Sequence, residues 1–162
     1  MSSEETLTAK LLELLAGMNF ASRYYEYCDR YSNRGPMPSY GRRDLETALA
    51  TTSLEFQYHS KERFFSHRAN DEVVGLNVAF PHSKVELILT LATAAGDIGG
   101  TFAELAEQVA LEQDPDFEHS PPYPLLPFSN EAELREAVQF GVSLFLDARQ
   151  AILSYQGWGR PT

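Results

Sequence analysis

The residues of this chain that could do chemistry are four dispersed histidines, one cysteine, a string of closely spaced carboxylates and a stripe of tyrosines. Asp114, Asp116 and Glu118 stand at two-residue steps, as the early ligands of a calcium loop do. Such a loop needs glycine at its sixth place and glutamate at its twelfth. Here His119 and Leu125 occupy those places and Pro115 intrudes, so the expectation is a solvated acidic loop with no metal. His59, His67, His82 and His119 form no HExxH pair, and the first two flank an expected turn rather than sharing a helical face. Cys28 is the only cysteine, which excludes an intramolecular disulfide and a cysteine cage; a buried thiol is expected. The run GDIGG (96–100) has the outline of a phosphate-binding turn but lacks the Lys and Ser/Thr that such a loop requires. It reads as a plain strand-to-helix turn. No GxSxG elbow is present. The chain is therefore expected not to be an enzyme and to hold no cofactor. A catalytic reading would require His59, His67 and His82 to converge on one cleft.

What remains is charge. The formal net charge is −10, and it is not spread evenly. Residues 1–84 hold ten Lys/Arg against eleven Asp/Glu, whereas residues 85–134 hold ten acids and no base. Such asymmetry predicts a directed field. It argues against nucleic acid as a direct ligand, since phosphates need cationic neutralisation. A protein partner with a basic surface fits better, although acidity also aids solubility. The densest part joins Glu104, Glu107, Leu111, Glu112, Asp114, Asp116, Phe117 and Glu118. Carboxylates there would steer a basic partner while an aliphatic or aromatic anchor holds it. A second candidate surface is the stripe of Tyr24, Tyr27 and Tyr31, either packed into the core or displayed for binding.

The elements that must carry these residues follow from periodicity. Residues 3–32 read as one long helix, or two stacked pieces broken near Gly17, with Leu7, Leu11, Leu14, Met18, Ala21 and Tyr25 on one side. Ser2 with Glu5 forms a capping box. Asp44 is expected to cap a short helix through about Ala50. Leu54, Phe56 and Tyr58 suggest a strand, and residues 63–68 another. From Glu72 to Thr93 the alternation is strongest: Val74, Leu76, Val78 and Phe80, then the turn 81–84, then Val85, Leu87, Leu89 and Leu91. That is a β-hairpin with one apolar face. Thr101 with Glu104 caps the helix bearing the acidic patch. A proline-rich loop (114–128) follows, carrying Phe117, Tyr123 and Phe128. A final helix runs from about Asn130 to Tyr155 and is expected to cover the hairpin with Leu134, Ala137, Val138, Gly141, Leu144, Phe145, Ala148 and Ile152. Trp158 either tucks against the body or frays.

Together these elements predict one α+β domain over residues 1–162. An antiparallel meander of three to four strands, with the 72–93 hairpin inside it, would be packed by a long N-terminal helix and a C-terminal helix. No stretch reaches the roughly 18 apolar residues that a membrane span needs, and the first residues are acidic rather than basic; a cytoplasmic location without membrane contact is expected. In size, acidity and architecture the chain resembles the immunity proteins of bacterial polymorphic and type VI secretion toxin systems. The resemblance implies a protein that binds a cognate toxin and occludes its active site. It rests on no shared motif, so it assigns no residue. Three other readings are a secretion chaperone or adaptor for an effector, a DNA-mimic regulator and, less favoured, a small enzyme.

Overall fold

The computed structural model describes residues 2–69 and 73–161. Glu72, the expected first residue of the hairpin, lies outside the described residues. Ten elements follow one another: α1 (Ser3–Gly17), α2 (Phe20–Arg30), α3 (Arg42–Leu49), β1 (Gln57–His59), β2 (Phe64–His67), β3 (Val74–Ala79), β4 (Glu86–Thr93), β5 (Gly96–Thr101), α4 (Phe102–Gln113) and α5 (Glu131–Leu153). The strands form one antiparallel meander in the order β1-β2-β3-β4-β5.

The expected hairpin is the centre of this sheet. Val74 pairs with Leu91, Leu76 with Leu89 and Val78 with Leu87, and all six side chains are buried. α5 lies against this face. At Gly141 the approach is so close that a Cβ would collide with Leu87 Cδ1. The apolar stripe expected on α5 is wholly inside, from Leu134 to Ile152. α4 packs on β4 and β5, α1 on β5, α2 on α4, and α3 on α5. The helices thus line one face of the sheet, the two-layer arrangement that buries a one-sided apolar meander.

Three expectations need correcting. The sheet has five strands rather than three or four, because the stretch read as a strand-to-helix turn is β5. Its glycines leave Ile98 as the one large side chain, paired with Leu91, so no alternation marks it. Gly99 is obligatory there: its φ is +123°, and a Cβ would run into the Leu89 carbonyl oxygen. The N-terminal region takes the second of its two expected forms, two helices broken after Gly17, and not the single long helix. Asn19 takes a left-handed backbone (φ 59°) between them, a conformation that Asn tolerates better than most residues. Lastly, Asp44 is not the cap of α3. It sits inside the first turn, and its Oδ2 accepts a hydrogen bond from Gly41 N–H (2.9 Å).

The other caps are as expected. The Ser2 hydroxyl accepts from Glu5 N–H (3.1 Å) while the Glu5 carboxylate accepts from Ser2 N–H (3.0 Å). Asn130 Oδ1 accepts from Glu133 N–H (2.9 Å) at the start of α5. The tail docks rather than frays. Trp158 is buried, and its indole N–H donates to the Ile152 carbonyl (2.8 Å).

A candidate acidic protein-binding surface

α4 begins at Thr101, whose hydroxyl accepts from Glu104 N–H (3.1 Å) and donates to Glu104 Oε1 (2.8 Å). Phe102, Leu105, Ala106 and Val109 turn inward. The same helical phase turns Glu104, Gln108, Leu111 and Glu112 out to solvent, with Glu107 half-buried beside them. Leu111 is 38% exposed. The chain then leaves the helix through a tight turn, in which Asp114 Oδ1 accepts from Asp116 N–H (3.1 Å) and the Asp114 carbonyl from Phe117 N–H (2.9 Å). Turn formation thus engages Asp114, the first of the three calcium-like carboxylates. Among the described residues no group of three or more His, Cys, Asp or Glu is arranged to hold a metal.

Two side chains then fasten the loop to α2. Phe117 packs against Tyr25 (ring centroids 5.1 Å apart), and His119 stacks on the same ring at 4.6 Å. Phe117 therefore faces partly inward, which corrects its expected role as a displayed anchor. His119 Nε2 lies 2.7 Å from Asp29 Oδ1, and its Nδ1 lies 2.6 Å from the Pro121 carbonyl. Further along, Tyr123 is 51% exposed, and its hydroxyl donates to Glu107 Oε1 (3.0 Å). Leu111 and Tyr123 are two of only three large apolar side chains exposed among the described residues. Both stand beside Glu107, Leu111 one turn along the helix and Tyr123 through its hydrogen bond. In the sequence Tyr123 is only a loop aromatic, and His119 has no visible partner in Asp29. No local pattern links these positions across the chain.

None of Glu104, Glu107, Glu112, Asp114, Asp116 or Glu118 has an ion pair among the described residues. Two arginines of α2 and the turn after it are paired with α5 instead: Arg23 with Asp147 (2.7 Å), and Arg34 with Glu133 (3.3 Å) and Glu136 (3.5 Å). Burial, with the Glu107 and Asp29 charges adding to it, pushes the Tyr25 hydroxyl up to about 12.

The tyrosine stripe is not a displayed surface. Tyr24 is 1% exposed, and its hydroxyl donates to the Pro124 carbonyl (2.6 Å). Tyr27 is buried, stacked on Phe140 of α5 at 4.2 Å and edge-on to Tyr31 at 4.8 Å. Tyr31 is half-buried, with the Arg34 guanidinium 3.7 Å from its ring centre. α2 carries apolar side chains on two sides because it is sandwiched, by α4 with the proline-rich loop and by α5. Cys28 is buried on the same helix, and desolvation pushes its thiol up to about 12, far from a reactive thiolate.

The histidines do not converge. His59 faces the side of the sheet away from the helices, with Nε2 2.7 Å from Ser66 Oγ and its ring stacked on Phe64 at 4.5 Å. His67 faces the helices, edge-on to Phe145 at 6.5 Å. His82 lies exposed in the β3–β4 turn. No helix among the described residues is long and apolar enough to cross a membrane. Compared with protein-family models, curated proteins and solved structures, the chain finds no match.

Proposed function

We propose that this chain is a cytoplasmic binding protein that acts as an immunity protein, neutralising a cognate toxin by covering its active site with the acidic surface of α4 and residues 114–123. One observation supports this reading above the rest: the same helix and loop that carry the exposed Leu111 and Tyr123 carry six carboxylates with no ion pair among the described residues. Unpaired carboxylates raise the association rate with a basic surface, and a small apolar centre supplies the holding energy. In a toxin that acts on nucleic acid or nucleotides, the carboxylates would take the place of substrate phosphates. Neither a metal nor a cofactor is invoked.

The test is affinity capture from the native cell. Full-length chain is compared with the Glu112→Lys, Asp114→Lys, Asp116→Lys triple variant, with circular dichroism checking that the variant folds. A partner with a basic surface should be captured by the first and lost by the second. Equal capture by both would remove the surface from consideration.

A further inference from the structure

A cavity of about 770 Å³ opens at the end of the sheet, well outside the acidic surface. It is walled by the segment before α3, the β1–β2 turn and the β3–β4 turn, and Tyr40, Arg42, Tyr58, Arg63, Phe80 and His82 line it. In a chain with a formal net charge of −10, this site gathers two guanidiniums and an imidazole. Neither guanidinium has a carboxylate within ion-pair distance among the described residues. Arg23 and Arg34, by contrast, are each paired with acids.

Both guanidiniums are exposed, and each lies over an aromatic ring. Arg42 lies over the Tyr58 ring at 4.8 Å and Arg63 over the Phe80 ring at 5.7 Å. A guanidinium on a ring face keeps its N–H fork free at the edge, the geometry that grips an oxyanion. The Tyr40 hydroxyl, donating to the Lys84 carbonyl (3.2 Å), ties the segment before α3 to the β3–β4 turn. Arg63 and His82 both take left-handed backbone conformations, with φ of 58° and 52°. Neither is glycine, so each turn accepts a less favourable conformation while placing a cationic or hydrogen-bonding side chain on the wall. Glu62 is the one carboxylate of the lining, against two guanidiniums and an imidazole.

We infer that this cavity is an anion-binding site for a small molecule carrying a phosphoryl group, gripped by Arg42 and Arg63 with His82 as an additional donor. A doubly charged phosphoryl group matches two unpaired guanidiniums better than a single carboxylate does. Tyr58 and Phe80 already carry the guanidiniums on their faces. Recognition is therefore of the oxyanion rather than of a stacked base. The cavity lies within the usual size range of small-ligand sites, about 300–1,000 Å³.

Titration of the full-length chain with inorganic phosphate and, separately, with adenosine monophosphate at constant ionic strength tests this, read by calorimetry and by amide shifts. Saturable binding of either probe is expected, with shifts centred on Gly41, Arg63 and His82. Tighter binding of the ester would identify an organic phosphate as the ligand, and equal binding would identify free phosphate. Arg42→Gln and Arg63→Gln should each weaken binding about tenfold or more, the loss expected for one charge-assisted hydrogen-bonding group. The control, Arg43→Gln outside the lining, should bind as wild type. Absence of saturable binding by both probes, or binding unchanged in both arginine variants, would overturn the assignment.

Discussion

His119 on the proline-rich loop and Asp29 at the end of α2 meet at 2.7 Å, and the other imidazole nitrogen of His119 meets the Pro121 carbonyl at 2.6 Å. Both partners are acceptors, so both ring nitrogens must donate. The clasp is complete only as the imidazolium.

That geometry sets a pH dependence. Burial alone would lower the His119 pKa, but the hydrogen bonds from its ring to Pro121 and Asp29, with the Asp29 charge, outweigh it and raise it. A raised folded value means that the clasp stabilises fully below the unfolded pKa of about 6.5 and that this stability is lost as pH rises through the folded value. Hydrogen exchange at residues 114–123, corrected for intrinsic rate, should show protection falling over that window. His119→Gln should abolish the dependence. Protection that does not change with pH in the wild type would refute the clasp.

The apolar centre of the surface can be tested separately from its charge. Leu111→Ala with Tyr123→Ala trims two side chains that are 38% and 51% exposed and stand outside the core. The covered part of each, with the Tyr123 hydrogen bond to Glu107, should cost about 1–2 kcal/mol and lower Tm by no more than about 8 °C. Partner affinity should fall about thirtyfold or more if either residue is an interface anchor worth about 2 kcal/mol. Affinity within a factor of two of wild type would show that the partner does not seat there.

Gly99→Ala addresses the strand that the sequence concealed. The backbone there requires φ of +123°, and the Leu89 carbonyl leaves no room for a Cβ. Destabilisation of about 2 kcal/mol or more is expected, lowering Tm by about 4–8 °C. Gly17→Ala is the control, since nothing lies within 4 Å of the added Cβ; it should melt at or slightly above wild type. If both variants melt alike, β5 does not pair as described.

These elements also show how far the sequence could be read. The β3–β4 hairpin was legible because large apolar side chains alternate along both of its strands. β5 was not, because the glycines at 96, 99 and 100 have no side chains to alternate; pairing to β4 and packing under α1 and α4 hold it. The outward turn of Glu104, Leu111 and Glu112 followed from helical phase and a cap. The inward turn of Phe117 did not, since it depends on Tyr25, a residue on another helix. For Tyr24 and Tyr27, period told that α2 is apolar on two sides. Only the positions of Pro124 and Phe140 decide that both sides are covered.

Trp158, the single tryptophan of the chain, stands edge-on to Tyr155 at 4.9 Å with its indole N–H tied to the Ile152 carbonyl. Its fluorescence therefore reports one event, the seating of the last residues on the end of α5. Emission should be blue-shifted while the tail is docked and move to longer wavelength when it lifts away. Because the indole lies outside both the acidic surface and the arginine-lined cavity, the molecule carries its own optical control. A variant that loses a ligand but keeps this emission has lost the contact while the tail stays seated on α5.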